Sequence, residues 1–161
     1  MRRLGVVIGL ALVLTGCSPD YNWRTVSIAD GAIEQIFPAS PQQERVLMGG
    51  AKDSLEYHVA TAKVDDALFM ATWIPALSGQ TMQALYEKTV DGILARAGES
   101  ASSLPTEGEQ FTVQTQGARQ FVRTDLRVVT YGAGLLQLSV SAPSGAEFPE
   151  GAANEFLSYP K

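Results

Sequence analysis

The chain has 161 residues, 45% of them hydrophobic and 18% charged, with one cysteine, one histidine and a formal net charge of −5. That length suits one globular domain burying roughly 70% of its unfolded surface, and it leaves no room for a second full domain. The acidic balance argues against nucleic acid as a partner, because phosphate contacts need clustered Lys and Arg.

Met1-Arg2-Arg3 is a short positive start, residues 4–14 are an almost unbroken apolar run, and Leu14-Thr15-Gly16-Cys17 closes the run with small residues before a cysteine. This is the layout of an export signal. Its apolar stretch falls short of the roughly 20 residues that a spanning helix needs. The segment resembles the bacterial lipoprotein signal, and all four positions of its Leu-x-Gly-Cys box match. The resemblance implies diacylation of the Cys17 thiol and cleavage just before it. The chain then divides into a signal at 1–16, a lipidated tether at 17–22 and one domain at 23–161. Loss of Arg2 and Arg3 takes the net charge from −5 to −7. Each acyl chain adds about 0.8 kcal/mol per buried methylene, so two or three chains make the lipid bilayer a permanent partner. The alternative is an ordinary cleaved signal followed by a free thiol. A lone cysteine in an oxidising compartment has no disulfide partner within the chain, which suits acylation. Ser18 after the cysteine resembles lipoproteins of the Gram-negative outer membrane, facing the periplasm, whereas Asp there marks retention at the inner membrane.

The tether is short: five extended residues after Cys17 span at most about 18 Å. Tyr21 and Trp23 then either rest at the membrane interface or pack at the edge of a core. Alternation begins at Trp23, and a strand is expected over 23–28. Gly31, Pro38 and Pro41 punctuate the next stretch, which predicts a strand at 32–37 ending in a Phe-Pro turn. Residues 42–48 form another, stopped by Gly49-Gly50. Leu55, Tyr57, Val59 and Thr61 alternate against Glu56, His58, Ala60 and Ala62, so a half-buried strand is expected with the first set inward. Asp65-Asp66 marks a turn, and 67–74 is a nearly continuous apolar strand before Pro75.

From Thr81 the period changes. Met82, Leu85, Tyr86, Thr89, Val90, Ile93, Leu94 and Ala97 fall on one helical face, with Gly98 as the stop. A polar loop at 99–110 follows. Strands are then expected at 111–115, 118–131 and 135–142, the last two joined around Gly132-Ala133-Gly134. Residues 149–157 read as a closing helix with Phe156 and Leu157 inward. The fold class is α+β, an antiparallel sheet flanked by helices.

Phe37-Pro38-Ala39-Ser40-Pro41 after the first strands, then a hairpin and one amphipathic helix, then Gly117-Ala118-Arg119-Gln120-Phe121 opening a long hairpin, and a closing Phe156-Leu157-Ser158-Tyr159, make an order that resembles the PsbP-like family. These are small domains common in bacterial lipoproteins. The resemblance implies a central antiparallel sheet between helices, an α/β/α sandwich. It implies binding, assembly or accessory work more than catalysis. Tyr159 stands where that family commonly has Phe.

Few residues point to chemistry. A Ser-His-Asp arrangement needs an imidazole, and His58 is the one available; its mid-strand place reads as solvent-facing. Zinc needs three or four Cys, His or carboxylate ligands, so no metal site is expected. Asp65-Asp66 with Glu56 lacks the spacing of a Ca²⁺ loop. Gly132-Ala133-Gly134 joins two strands instead of opening a helix, so no phosphate loop or cofactor is expected. One constellation stands out: Arg119, Arg123 and Arg127 at i, i+4 and i+8 of a strand-like run, sharing a face with Phe121 and Asp125. Such a row can bind carboxylate or phosphate groups or an acidic partner; the alternative is pairing with local Asp125 and Glu side chains. The expected role is therefore binding or assembly at the cell envelope, with another envelope protein as partner. An enzyme with an unrecognised site, or a carrier of a small apolar or anionic ligand, is the competing reading.

Overall fold

The computed structural model describes residues 21–48, 55–99 and 103–160. The export segment, Cys17 and the Gly49-Gly50 stop lie outside the described residues. Strands β1 (Arg24–Ile28) and β2 (Ile33–Phe37) form a separate antiparallel pair around a 3-10 turn at Ala29–Gly31. The larger sheet is built from β3 (Gln42–Met48), β4 (Leu55–Val64), β5 (Ala67–Pro75), β6 (Gln110–Gln116), β7 (Phe121–Tyr131) and β8 (Gly134–Pro143). Its order is β3-β4-β5-β8-β7-β6, antiparallel throughout. Helix α1 (Met82–Arg96) joins its two halves, and α2 (Glu150–Ser158) closes the chain.

The two faces of this sheet are covered differently, as its alternating side chains allow. On one face α1 lays Leu85, Tyr86, Val90, Ile93 and Leu94 against Ile74, Val113, Leu126, Val128 and Leu135. Thr81 starts that helix, its Oγ1 accepting from the Ala84 amide at 3.2 Å. Thr81→Ala therefore lowers stability by about 1 kcal/mol, readable as a shift in the urea midpoint. Past the helix, the Tyr86 hydroxyl donates to the Pro105 carbonyl at 2.7 Å and holds the following loop; burial, then Glu107 and Glu109, raise its pKa.

The other face takes the β1–β2 pair and α2. Here the sheet presents Ala60, Ala62, Ala67, Ala71 and Ala142, all buried. These small side chains let Phe37, Phe69 and Phe156 meet above them, with ring centroids 5.2 Å apart for Phe37–Phe156 and 5.5 Å for Phe69–Phe156. Tyr21 and Trp23 pack at the margin of this core.

The phase of β4 departs from the sequence expectation. Ala60 and Ala62 are buried, whereas Leu55, Tyr57, Val59 and Thr61 are only half-buried. Apolar alternation gave the period correctly. The inward side was reversed because the closest packing occurs where the β1–β2 pair and α2 sit down on alanines, not where the larger side chains point. His58 shares the face of those alanines and is not solvent-facing.

Candidate functional site

The arginine row separates into two different things. The strand expected from 118 begins instead at Phe121, because the Gly117 amide donates to the Gln120 carbonyl at 3.0 Å and turns the chain. A Cβ at residue 117 would lie 2.7 Å from that carbonyl oxygen, so glycine permits the closure. Arg119 consequently lies exposed in the connection and off the row. Arg123 and Arg127 remain on one face of β7 as expected, and both are engaged by α2.

Arg123 donates to Asp125 at 2.8 and 3.0 Å and to Glu150 at 2.6 Å, and its guanidinium lies 3.9 Å from the Phe148 ring centroid. The hydrogen bonds to Asp125, then to Glu150, raise its pKa further above the ordinary arginine range. Arg127 donates through Nε to the Gly108 carbonyl at 3.1 Å, and through Nη1 to the carbonyls of Leu157 at 3.0 Å and Pro160 at 3.2 Å. Gln35, fully buried on β2, donates to the Phe156 carbonyl at 3.0 Å. The last carbonyls of α2, which no intrahelical amide reaches, are thus met by Gln35 and by a cation placed where the helix dipole favours it. The spacing explains the clamp: four residues of strand rise about 13 Å, the length of a nine-residue helix.

A second cluster was not foreseen. The register sets Arg45 of β3 directly opposite His58 of β4, and His58 opposite Trp73 of β5. Arg45 Nη2 lies 2.6 Å from Asp30 Oδ1, and Nη1 lies 3.3 Å from Glu56 Oε1. His58 Nε2 is 3.5 Å from the same Glu56 oxygen, and its ring meets Trp73 edge-on at 5.8 Å. Only 15% of the His58 side chain is exposed. The Trp73 indole reaches over Gly134, where a Cβ would come within 3.0 Å of Trp73 Cε2 and 2.4 Å of the Ile74 oxygen.

Asp30 reaches Arg45 from a strained turn. Ala29 and Asp30 both have positive φ, 53° and 55°, a left-handed conformation that costs a side chain roughly 1–2 kcal/mol. Ile28, Asp30, Gln43, Arg45 and His58 border a pocket of about 200 Å³ that opens to solvent. Beside it Leu47, directly opposite Glu56, is 68% exposed, and Met48 is 49% exposed. Chemically this is a patch where one guanidinium is shared by two carboxylates beside an imidazole and an apolar strand end. Among the described residues no three His, Cys, Asp or Glu side chains form a metal set, and no helix is long and apolar enough to cross a membrane. Asp65-Asp66 and Glu56 lie at opposite ends of β4.

Fold and patch together define an α+β domain with a charged, apolar-flanked surface patch at one sheet edge. No family model, curated protein or solved structure matches this chain.

Proposed function

We propose that this chain is a bacterial envelope lipoprotein, anchored through acylated Cys17 and PsbP-like in the order of its elements, which acts by binding a partner and not by catalysis. Ser18 after the cysteine, as in lipoproteins of the Gram-negative outer membrane, supports a place there, facing the periplasm. The observation that carries this reading is a separation of the two ends of the domain. Tyr21, where the tether joins, is close enough to Asp65 and Glu147 that both add to burial in raising its pKa. The patch of Asp30, Arg45, Glu56 and His58, with Leu47 and Met48, lies toward the opposite end, about 20 Å away along β4. A tethered domain built this way holds its recognition surface away from the lipid.

Cys17→Ser tests the anchor. It blocks acylation and processing at Gly16, so the protein leaves the membrane fraction and its intact mass lacks acyl chains; acyl-free mature wild-type protein would end the lipoprotein reading. A photocrosslinking residue placed at Leu47 in intact cells tests the surface. A discrete adduct is expected there and not at exposed Gln83 on α1.

A further inference from the structure

Three elements reach the end of the domain where the tether joins: the β4–β5 turn at Asp65-Asp66, the segment from β8 to α2, and the β6–β7 connection. The β8–α2 segment runs beside the β6–β7 connection, Ser144 donating to the Phe121 carbonyl, whereas the two hairpins do not reach equally far. The β4–β5 ladder ends at Val64↔Ala67. The β6–β7 ladder passes the equivalent row, Gln114↔Arg123, by two further pairs, Thr115↔Val122 and Gln116↔Phe121, before its connection. Two pairs add about 7 Å, and the connection extends beyond that. The hairpin is therefore the projecting tip, and its chemistry differs from its surroundings. Phe121 is 52% exposed, and Arg119 stands exposed beside it, while Arg123 and Arg127 are taken up by α2.

We infer that the β6–β7 tip, through Phe121 and Arg119, is a second contact with the lipid surface that sets how the domain stands on the membrane. This rests on the lipoprotein reading of Cys17. Four residue steps separate Cys17 from Tyr21, a reach of at most about 14 Å, so this end of the domain stays beside the headgroups. An aromatic ring next to a long cationic side chain suits that boundary: the ring enters the acyl margin while the guanidinium meets headgroup phosphate. Asp65 and Asp66 in the β4–β5 turn at the same end are set back from the tip, and an anionic surface repels them. Attraction at the hairpin and repulsion at the turn tilt the domain with the hairpin down.

The test uses the full-length lipidated protein, extracted and reconstituted into vesicles of phosphatidylethanolamine with a minority of phosphatidylglycerol. Acylation consumes the native thiol, so Phe121→Cys, Arg119→Cys and Leu47→Cys each provide one site for an environment-sensitive fluorophore. Labels at 121 and 119 are expected to shift to the blue on reconstitution and to be quenched by a lipid-borne quencher, with the label at 47 unchanged. Arg119→Glu added to the 121 variant reverses the shift. Acylated protein that floats with the vesicles but gives three indistinguishable labels overturns the hairpin contact alone. Protein without acyl chains that fails to float overturns this inference and the lipoprotein reading together. Blue-shifted tip labels shielded by a co-purified protein, without lipid quenching, also overturn it.

Discussion

Replacing Arg127 with Met destabilises the domain by about 2–4 kcal/mol, whereas Arg119→Gln shifts stability by less than about 0.5 kcal/mol. Met preserves much of the aliphatic bulk and removes all three donations, leaving the carbonyls of Gly108, Leu157 and Pro160 without their guanidinium partner. Arg123→Gln falls between the two. Its pair with Glu150 is largely open to solvent and worth little, but its bond to the half-buried Asp125 carboxylate is better shielded. Urea unfolding of the three single variants at two salt concentrations checks the ranking. Added salt narrows the Arg123 effect and hardly changes that of Arg127, whose partners are neutral carbonyls. Equal, small losses at all three positions would return the row to a solvated strand face.

Phe156→Ala is expected to cost about 3–5 kcal/mol. A nine-residue helix is too short to hold itself in water, so α2 persists only through what it buries. Phe156 is fully buried, and it is the ring that both Phe37 of β2 and Phe69 of β5 meet. Removing it opens a void shared by the β1–β2 pair, the large sheet and α2. Phe156→Leu recovers much of the loss because most of the volume returns. A lowered denaturation midpoint with an unchanged slope is the expected signature. The losses from Phe156→Ala and Arg127→Met add to less than their sum, since both act by releasing the same helix; strict additivity would show that the clamp and the core are independent.

Much of the fold is legible in the residues themselves. The 3.6-residue period from Met82 to Ala97 places the α1 face correctly, because only that side of a surface helix is buried. Alternating runs, Asp65-Asp66 and Gly132-Ala133-Gly134 locate the hairpins, because local backbone geometry decides them. The lipobox proposed at Leu14-Thr15-Gly16-Cys17 rests on linear order alone, since a signal of that kind is read by other proteins before a chain folds.

Tertiary structure decided what each face and charge would meet. Alternation states that β4 has two sides but not which one lies under the β1–β2 pair and α2, so the inward phase of Ala60 and the half-burial of His58 came from packing. Arg123 finds Glu150 across 27 residues, and Arg127 finds the Leu157 carbonyl across 30. Asp30 and Arg45 meet because a left-handed turn and a strand register bring them together. Periodicity reports how often a side chain is buried, a local property. A cation's partner depends on which distant segment docks beside it, and that follows from the packing of the whole chain.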